Sequence, residues 1–155
     1  MLTVSDRVSR GEAEDTSGDL LDELLRGEGY EVVRRVVADE RDEIEAALRA
    51  LAADARLVLT TGGTGVAPRD VTPEATRAVV ERDVPGVAEA LRANSAGKTP
   101  HGLLSRGLAG IVGSTLVVNL PGSPGGCRDG FAVLLPMLEH ALRLLADEAT
   151  SHRQT

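Results

Sequence analysis

With 155 residues, 42% of them hydrophobic, the chain has the size and composition of a single globular domain with a real core. A net charge of −7, with arginines spread out and Lys98 the only lysine, disfavours nucleic acid as a partner, which needs a concentrated basic face. Tyr30 and Phe131 are the only aromatic residues, so no platform exists for stacking bases, and no apolar run is long enough to cross a bilayer or act as a leader, which points to a cytoplasmic protein with no membrane partner.

Leu2-Thr3-Val4 reads as a short first strand running into Ser5-Asp6-Arg7, and Ser9 to Asp15 as a polar loop. Ser17-Gly18 opens a helix with an apolar stripe of Leu20, Leu21, Leu24 and Leu25, ended by Gly27 and Gly29. Val32, Val33, Val36 and Val37 form a second strand that ends at Ala38-Asp39. Ile44, Ala47, Leu48 and Leu51 follow the helical spacing i, i+3, i+4, i+7. Leu57-Val58-Leu59 is a third strand. Short helices are expected over 73–80 and 85–93, with a loop over 94–100. Leu108 to Ile111 and Leu116 to Val118 read as strands joined at Gly113-Ser114. Asn119 to Gly126 is a Gly/Pro loop before a final helix carrying Phe131, Leu134, Leu135, Leu138, Leu142 and Leu145, with Pro136 as a candidate kink. Residues 1–150 form the expected domain and 151–155 a polar tail. Strands alternating with helices give a three-layer α/β/α fold with a mainly parallel sheet.

The third strand feeds into Thr60-Thr61-Gly62-Gly63-Thr64-Gly65, followed by Pro68-Arg69-Asp70-Val71-Thr72-Pro73. Glycines there let backbone N–H groups stand close to a ligand. Thr72 reads as a helix N-cap with Pro73 at the first helical position. Open α/β sheets bind phosphorylated ligands at such strand ends, and the carboxylate of Asp70 suggests a divalent metal as well. Polar loops after other strands, at Ser5-Asp6, Asp39 and Asn119 to Ser123, share the same sheet edge. The chain contains no Walker A sequence, no G-x-G-x-x-G and no nucleophile elbow. His101, His140 and His152 are scattered, without zinc spacing, and read as surface or satisfied core residues. Cys127 is the sole cysteine, compatible with a reducing compartment. It reads either as a buried thiol or as a thiolate favoured by the start of the last helix.

At these residues the chain resembles the MogA/MoaB family of molybdenum-cofactor biosynthesis. The resemblance is carried by Thr3 to Arg7, Asp15 to Gly18, Thr60 to Gly65, Asp70 to Ala75, Leu104-Ser105-Arg106 and Asn119 to Pro124. It implies a molybdopterin-binding fold and molybdopterin adenylyltransferase activity, with ATP and molybdopterin as substrates and Mg²⁺ or another divalent cation as cofactor. The family's functional acids match Asp39 and Asp70, implied to be catalytic and metal-holding. Its nucleotide loop matches Thr61, Gly62, Gly63, Thr64 and Gly65, and its pterin side matches Ser5, Ser105, Pro121, Gly122 and Ser123. Assembly into a trimer, or a hexamer built from trimers, and a molybdate-insertion enzyme as partner are also implied. Two departures stand out. The first strand begins at Met1, shorter than the family usually shows, so the short N-terminus reads as either native or a truncated start. Gly125-Gly126-Cys127 stands where relatives often carry a bulkier or basic residue.

Simpler roles compete at each position. Asp39 can cap the helix that starts at Glu40, Asp70 can close an Asx-turn, Ser105 can be an ordinary loop serine, and residues 119–124 can be a rigid turn. At the level of the whole chain, a non-catalytic molybdopterin carrier or scaffold competes with the enzyme, as does a stand-alone relative of the molybdate-insertion domain. Retention of both Asp39 and Asp70 favours the enzyme.

Overall fold

The computed structural model describes the backbone of residues 1–151 and the side chains of residues 1–147. In chain order the elements are β1 (Leu2–Val4), α1 (Asp6–Ser9), α2 (Thr16–Gly27), β2 (Arg35–Val37), α3 (Arg41–Asp54), β3 (Leu57–Thr61), α4 (Thr72–Val79), β4 (Arg82–Asp83), α5 (Pro85–Lys98), a 3-10 helix (Pro100–Leu104), β5 (Ala109–Val112), β6 (Thr115–Leu120) and α6 (Pro124–Ser151). Residues 152–155 of the expected tail, His152 among them, lie outside the described residues.

One six-stranded sheet runs in the order β2-β1-β3-β6-β5-β4. The first four strands in that order are parallel; β5 runs against them, and β4 pairs antiparallel with β5. Alternation along the strands divides the core in two. Leu59, Leu116, Val118 and Leu120 face Leu21 and Leu25 of α2 and Phe131, Leu134, Leu138 and Leu142 of α6. Val58 and Val117 face the other way, onto Ile44, Leu48 and Leu51 of α3 and Ala75 and Val79 of α4. This is the expected three-layer α/β/α arrangement. The connection from β1 to β2 runs through α2 on one face, and the connection from β2 to β3 returns through α3 on the other. The order in which strands are added therefore reverses between β1 and β3, where open sheets leave a crevice at the carboxyl ends of the strands.

Several elements differ from the sequence expectation. Asp6 to Ser9 make one helical turn, because the Ser5 hydroxyl accepts the Val8 N–H at 3.2 Å. β2 starts at Arg35; Val33 lies before it and its carbonyl takes the Met1 ammonium at 2.7 Å. The two-residue β4 was too short to carry an alternating pattern. α5 runs on to Lys98, through the residues expected to be loop, since Asn94, Ser95 and Gly97 weaken a helix without breaking it. Thr72 lies inside α4 and does not cap it. Its hydroxyl donates to Gly62 O at 2.9 Å, and Val71 occupies the cap position with no side-chain bond. α6 begins at Pro124 and continues through Pro136.

Candidate active site

The glycine loop leaves β3 at the switch point. Gly62 and Gly63 both adopt left-handed backbone, at φ 98° and 67°. A Cβ at Gly62 would run into the Val4 carbonyl of β1, and one at Gly63 into the Thr72 hydroxyl. The glycines are thus required first by the protein's own packing: the loop is pressed between the end of β1 and the start of α4. Gly63 O accepts from Thr72 N at 3.1 Å, but among the described residues the N–H groups of Gly63, Thr64 and Gly65 have no protein acceptor. They form a short row of donors at the strand end.

The two acids named from the sequence stand on either side of this row. The Asp39 carboxylate reaches within 3.3 Å of where a Cβ on Gly63 would stand, and the Asp70 carboxylate within 2.8 Å of the same point on Gly65. Asp70 Oδ2 accepts the Ala67 N–H at 3.0 Å, so it closes a turn backwards onto Ala67, not forwards onto Thr72. Asp39 does not cap α3 either. Its Oδ2 accepts the Asp6 N–H at 2.8 Å, while its own N–H donates to Asp6 Oδ1 at 3.0 Å. In each acid the second oxygen has no hydrogen-bond donor among the described residues. Burial raises the Asp39 carboxyl above its usual range, and the charges of Asp6 and Asp70 push the same way, against the bond from Asp6 N–H.

Two arginines that sequence reasoning did not place in the site hold these loops. Arg69 grips Asp6 with Nε and Nη2, at 2.6 and 3.1 Å, and reaches Glu40 Oε1 at 2.8 Å and the Asp39 carbonyl at 3.2 Å. It holds the Asp6 carboxyl below the ordinary carboxylate range. Arg106 donates from Nε to Gly65 O at 2.7 Å, from Nη2 to Asp70 O at 2.6 Å and from Nη1 to the Glu74 carboxylate, and its own N–H meets Thr64 O at 2.8 Å. Asp6 and Arg69 are 63 residues apart, and only the β2-β1-β3 order brings their loops together. Opposite charges flanking separate motifs were the sole hint in the sequence.

On the Gly65 side the loop opens onto a pocket of about 530 Å³. This pocket collects Gly63, Thr64, Gly65, Asp70, Ser105, Pro121, Gly122 and Ser123, most of the residues expected in the site. Ser123 caps α6: its Oγ accepts the Gly126 N–H at 3.1 Å, so the positive end of a long helix dipole also faces the pocket. Asn119 forms part of the wall, with its amide committed to Thr60 and Thr76 hydroxyls, both at 3.0 Å, and to Leu108 N–H. Four expected residues stand apart from the pocket wall, Asp39 beside Gly63 among them. Ser5 caps α1 beside Asp6. Gly62 lies beneath the loop. Thr61 is fully buried, its hydroxyl given to Pro121 O at 2.8 Å. Cys127 is also fully buried, and burial pushes its thiol up, away from a reactive thiolate.

Among the described residues no three His, Cys, Asp or Glu side chains form a ready-made metal cage. The free oxygens of Asp39 and Asp70 nevertheless suit Mg²⁺, which binds through one or two carboxylates and fills its remaining positions with phosphate oxygens and water.

The fold and the crevice make this an open three-layer α/β protein with its candidate site at the switch point. The family described as "Probable molybdopterin binding domain" matches residues 1–140, and the chain belongs to that family. It is 40% identical over 150 residues to the molybdopterin adenylyltransferase of Helicobacter pylori strain J99, covering 94% of this chain and 85% of that protein. Against the molybdenum cofactor synthesis protein cinnamon of Drosophila melanogaster it is 41% identical over its whole length, yet spans only 26% of that protein. A solved structure of the molybdopterin biosynthesis enzyme MoaB from Thermus thermophilus superposes with a TM-score of 0.86 at 50% identity, over 93% of this chain and 92% of that one.

Proposed function

We propose that this protein is a molybdopterin adenylyltransferase of molybdenum-cofactor biosynthesis, moving AMP from ATP onto the terminal phosphate of molybdopterin. The observation that carries the reading is the row of unused N–H groups at Gly63 to Gly65 with a carboxylate on each side of it. A phosphate oxygen of the pterin attacks the α-phosphorus of ATP, the bond to the β-phosphate oxygen breaks, and pyrophosphate leaves. The nucleophile is already ionised, so no general base is needed. Two polyanions must meet in a chain that is itself negative, and fixed N–H dipoles lower that barrier at no reorganisation cost. Asp39 and Asp70 would hold a Mg²⁺, which supplies charge neutralisation at the transferring phosphate when bound. The loop at Thr61 to Gly65 orients the nucleotide. Ser105 and the turn Pro121-Gly122-Ser123, which line the same pocket, take the pterin. Names of relatives support the same reading, since proteins called molybdopterin adenylyltransferase match over most of this chain.

The protein works in the cytoplasm as a trimer, or a hexamer built from trimers, and hands its product to a molybdate-insertion enzyme. Exposed Leu103 and Leu104, next to the pocket, and Val33 and Val36, at the β2 edge, are apolar surface that assembly would cover. A monomeric mass by light scattering refutes the assembly.

Incubation of the purified protein with ATP, Mg²⁺ and molybdopterin, followed by mass analysis, tests the activity. Adenylylated pterin together with released pyrophosphate is the expected result. Folded protein that binds molybdopterin but releases no pyrophosphate with any common divalent ion is a carrier instead.

A further inference from the structure

The pocket has little mobile positive charge for ligands that are all phosphate-bearing. Among the described residues that line it, Lys98 is the sole lysine or arginine. Three arginines next to lining residues in the sequence already have partners inside the protein. Arg106 is bound to two carbonyls and Glu74, Arg69 to Asp6 and Glu40, and Arg92 to Gly107 O at 2.8 Å. Lys98 differs in kind. It sits on the last turn of α5, and its Nζ lies 2.7 Å from Asp129 Oδ1 on α6, on the wall carrying the helix start that faces the pocket. The two side chains are 54% and 38% exposed, so the pair is a weak one and its four-carbon stem is free to swing.

We propose that Lys98 is a phosphate-binding residue of this pocket, held in reserve by Asp129. When a phosphorylated ligand enters, the ammonium leaves the Asp129 carboxylate and pairs with a phosphate oxygen that the backbone donors of Gly63 to Gly65 or the α6 start already hold. Asp129 competes for Lys98 and thereby sets how tightly the anion is held. This proposal rests on the reading of the pocket as the site for ATP and molybdopterin. The chemistry is shared between the triphosphate of ATP and the phosphomonoester of the pterin, and separate titrations tell them apart.

Calorimetric titrations of Mg-ATP and of molybdopterin into wild type, Lys98→Met, Asp129→Asn and the double variant test the proposal. Lys98→Met weakens one of the two ligands by about tenfold or more, the loss expected of a charge-assisted contact. Asp129→Asn tightens that same ligand a few-fold, and the double variant binds like Lys98→Met. The ligand that responds identifies which phosphate Lys98 meets. Unchanged affinity for both ligands in Lys98→Met overturns the proposal. So does an Asp129→Asn variant that binds as weakly as Lys98→Met, which would make the pair a brace between helices. Melting curves check that all variants stay folded. Turnover is read separately: wild type that binds both ligands without releasing pyrophosphate loses the enzyme reading and keeps Lys98, whereas wild type that binds neither ligand overturns both.

Discussion

Replacing Arg106 with methionine removes three bonds that tie the glycine loop to the segment before β5, at 2.7 Å to Gly65 O, 2.6 Å to Asp70 O, and to the Glu74 carboxylate. The bond from Arg106 N–H to Thr64 O survives, so the loop is loosened and not released. The guanidinium is 38% exposed, which places each bond well below the roughly 1.5–3 kcal/mol of a buried charged hydrogen bond. Taking about 0.7 kcal/mol apiece gives a loss of about 2 kcal/mol, or a fall in Tm of about 6 °C for a chain of this length. Glu74 adds to the cost, because its Oε2 is already buried without a hydrogen-bond partner and now loses its cation too. Circular dichroism melts at fixed protein concentration measure the shift, since assembly makes Tm concentration-dependent. Amide exchange over Thr64 to Val66 should speed up in the same variant, and the KM for ATP should rise. Arg106→Lys should fall between the two, because an ammonium cannot reach both carbonyls and the carboxylate as the fork does. A Tm within about 1–2 °C of wild type, the range of an ordinary surface substitution, together with unchanged exchange in the loop, would refute the reasoning.

Asp70→Asn keeps the acceptor for Ala67 N–H, so Tm should hardly move while metal-dependent turnover falls by roughly a hundredfold. Unchanged kcat at saturating Mg²⁺ would leave Asp70 as a turn residue only. Gly63→Ala drives a Cβ into the Thr72 hydroxyl at a left-handed position and should cost more than about 1 kcal/mol, read as an earlier urea midpoint. Combining it with Thr72→Ala should cost less than the two single losses added together. Stability should fall as pH drops below the ordinary carboxylate range near 4. Asp6 and Glu74, held low by Arg69 and Arg106, stabilise the fold above their unfolded pKa values, and that contribution is lost as pH falls through the folded ones. Asp39 has the opposite sign: its raised pKa makes its charge a burden, relieved as pH falls. Asp39→Asn should therefore be at least as stable as wild type at neutral pH, as urea midpoints across the pH range would show.

The layers of the fold were legible because their signals are local. Continuous apolar runs at Leu57 to Leu59 and Leu116 to Val118, buried on both faces of the sheet, and the helical spacing of Ile44, Ala47, Leu48 and Leu51 are fixed by which side chains must face a core. Gly113-Ser114 announced its hairpin through a residue that tolerates φ of 58°. Asp70 and the glycine loop were legible too, from their place after an apolar strand, and Asp39 through the family resemblance. What stayed hidden depends on partners distant in sequence. Thr72 looks like a cap to its own helix, but Gly62 O claims its hydroxyl. Thr61 looks like part of an open loop, yet β6 ends beside it and Pro121 O covers it. Arg69 and Arg106 look like surface charge until three loops converge on them. The helical nature of residues 94–98 was missed because propensity there is poor, and packing of α5 against the 3-10 helix and α6 overrides it.

Cys127 lies under the crevice, its Sγ 3.1 Å from Pro121 O and 3.3 Å from Thr61 Oγ1, with none of its surface open to water. No other cysteine occurs in the chain. A thiol-specific reagent therefore has a single target, and reaches it only in molecules where the start of α6 has lifted from the end of β3. The rate of modification counts those openings one by one, turning the floor of the site into a clock for its own local unfolding. A ligand that draws the glycine loop and α6 together should slow that clock. Occupancy can then be read from unlabelled, unmutated protein, by mass alone.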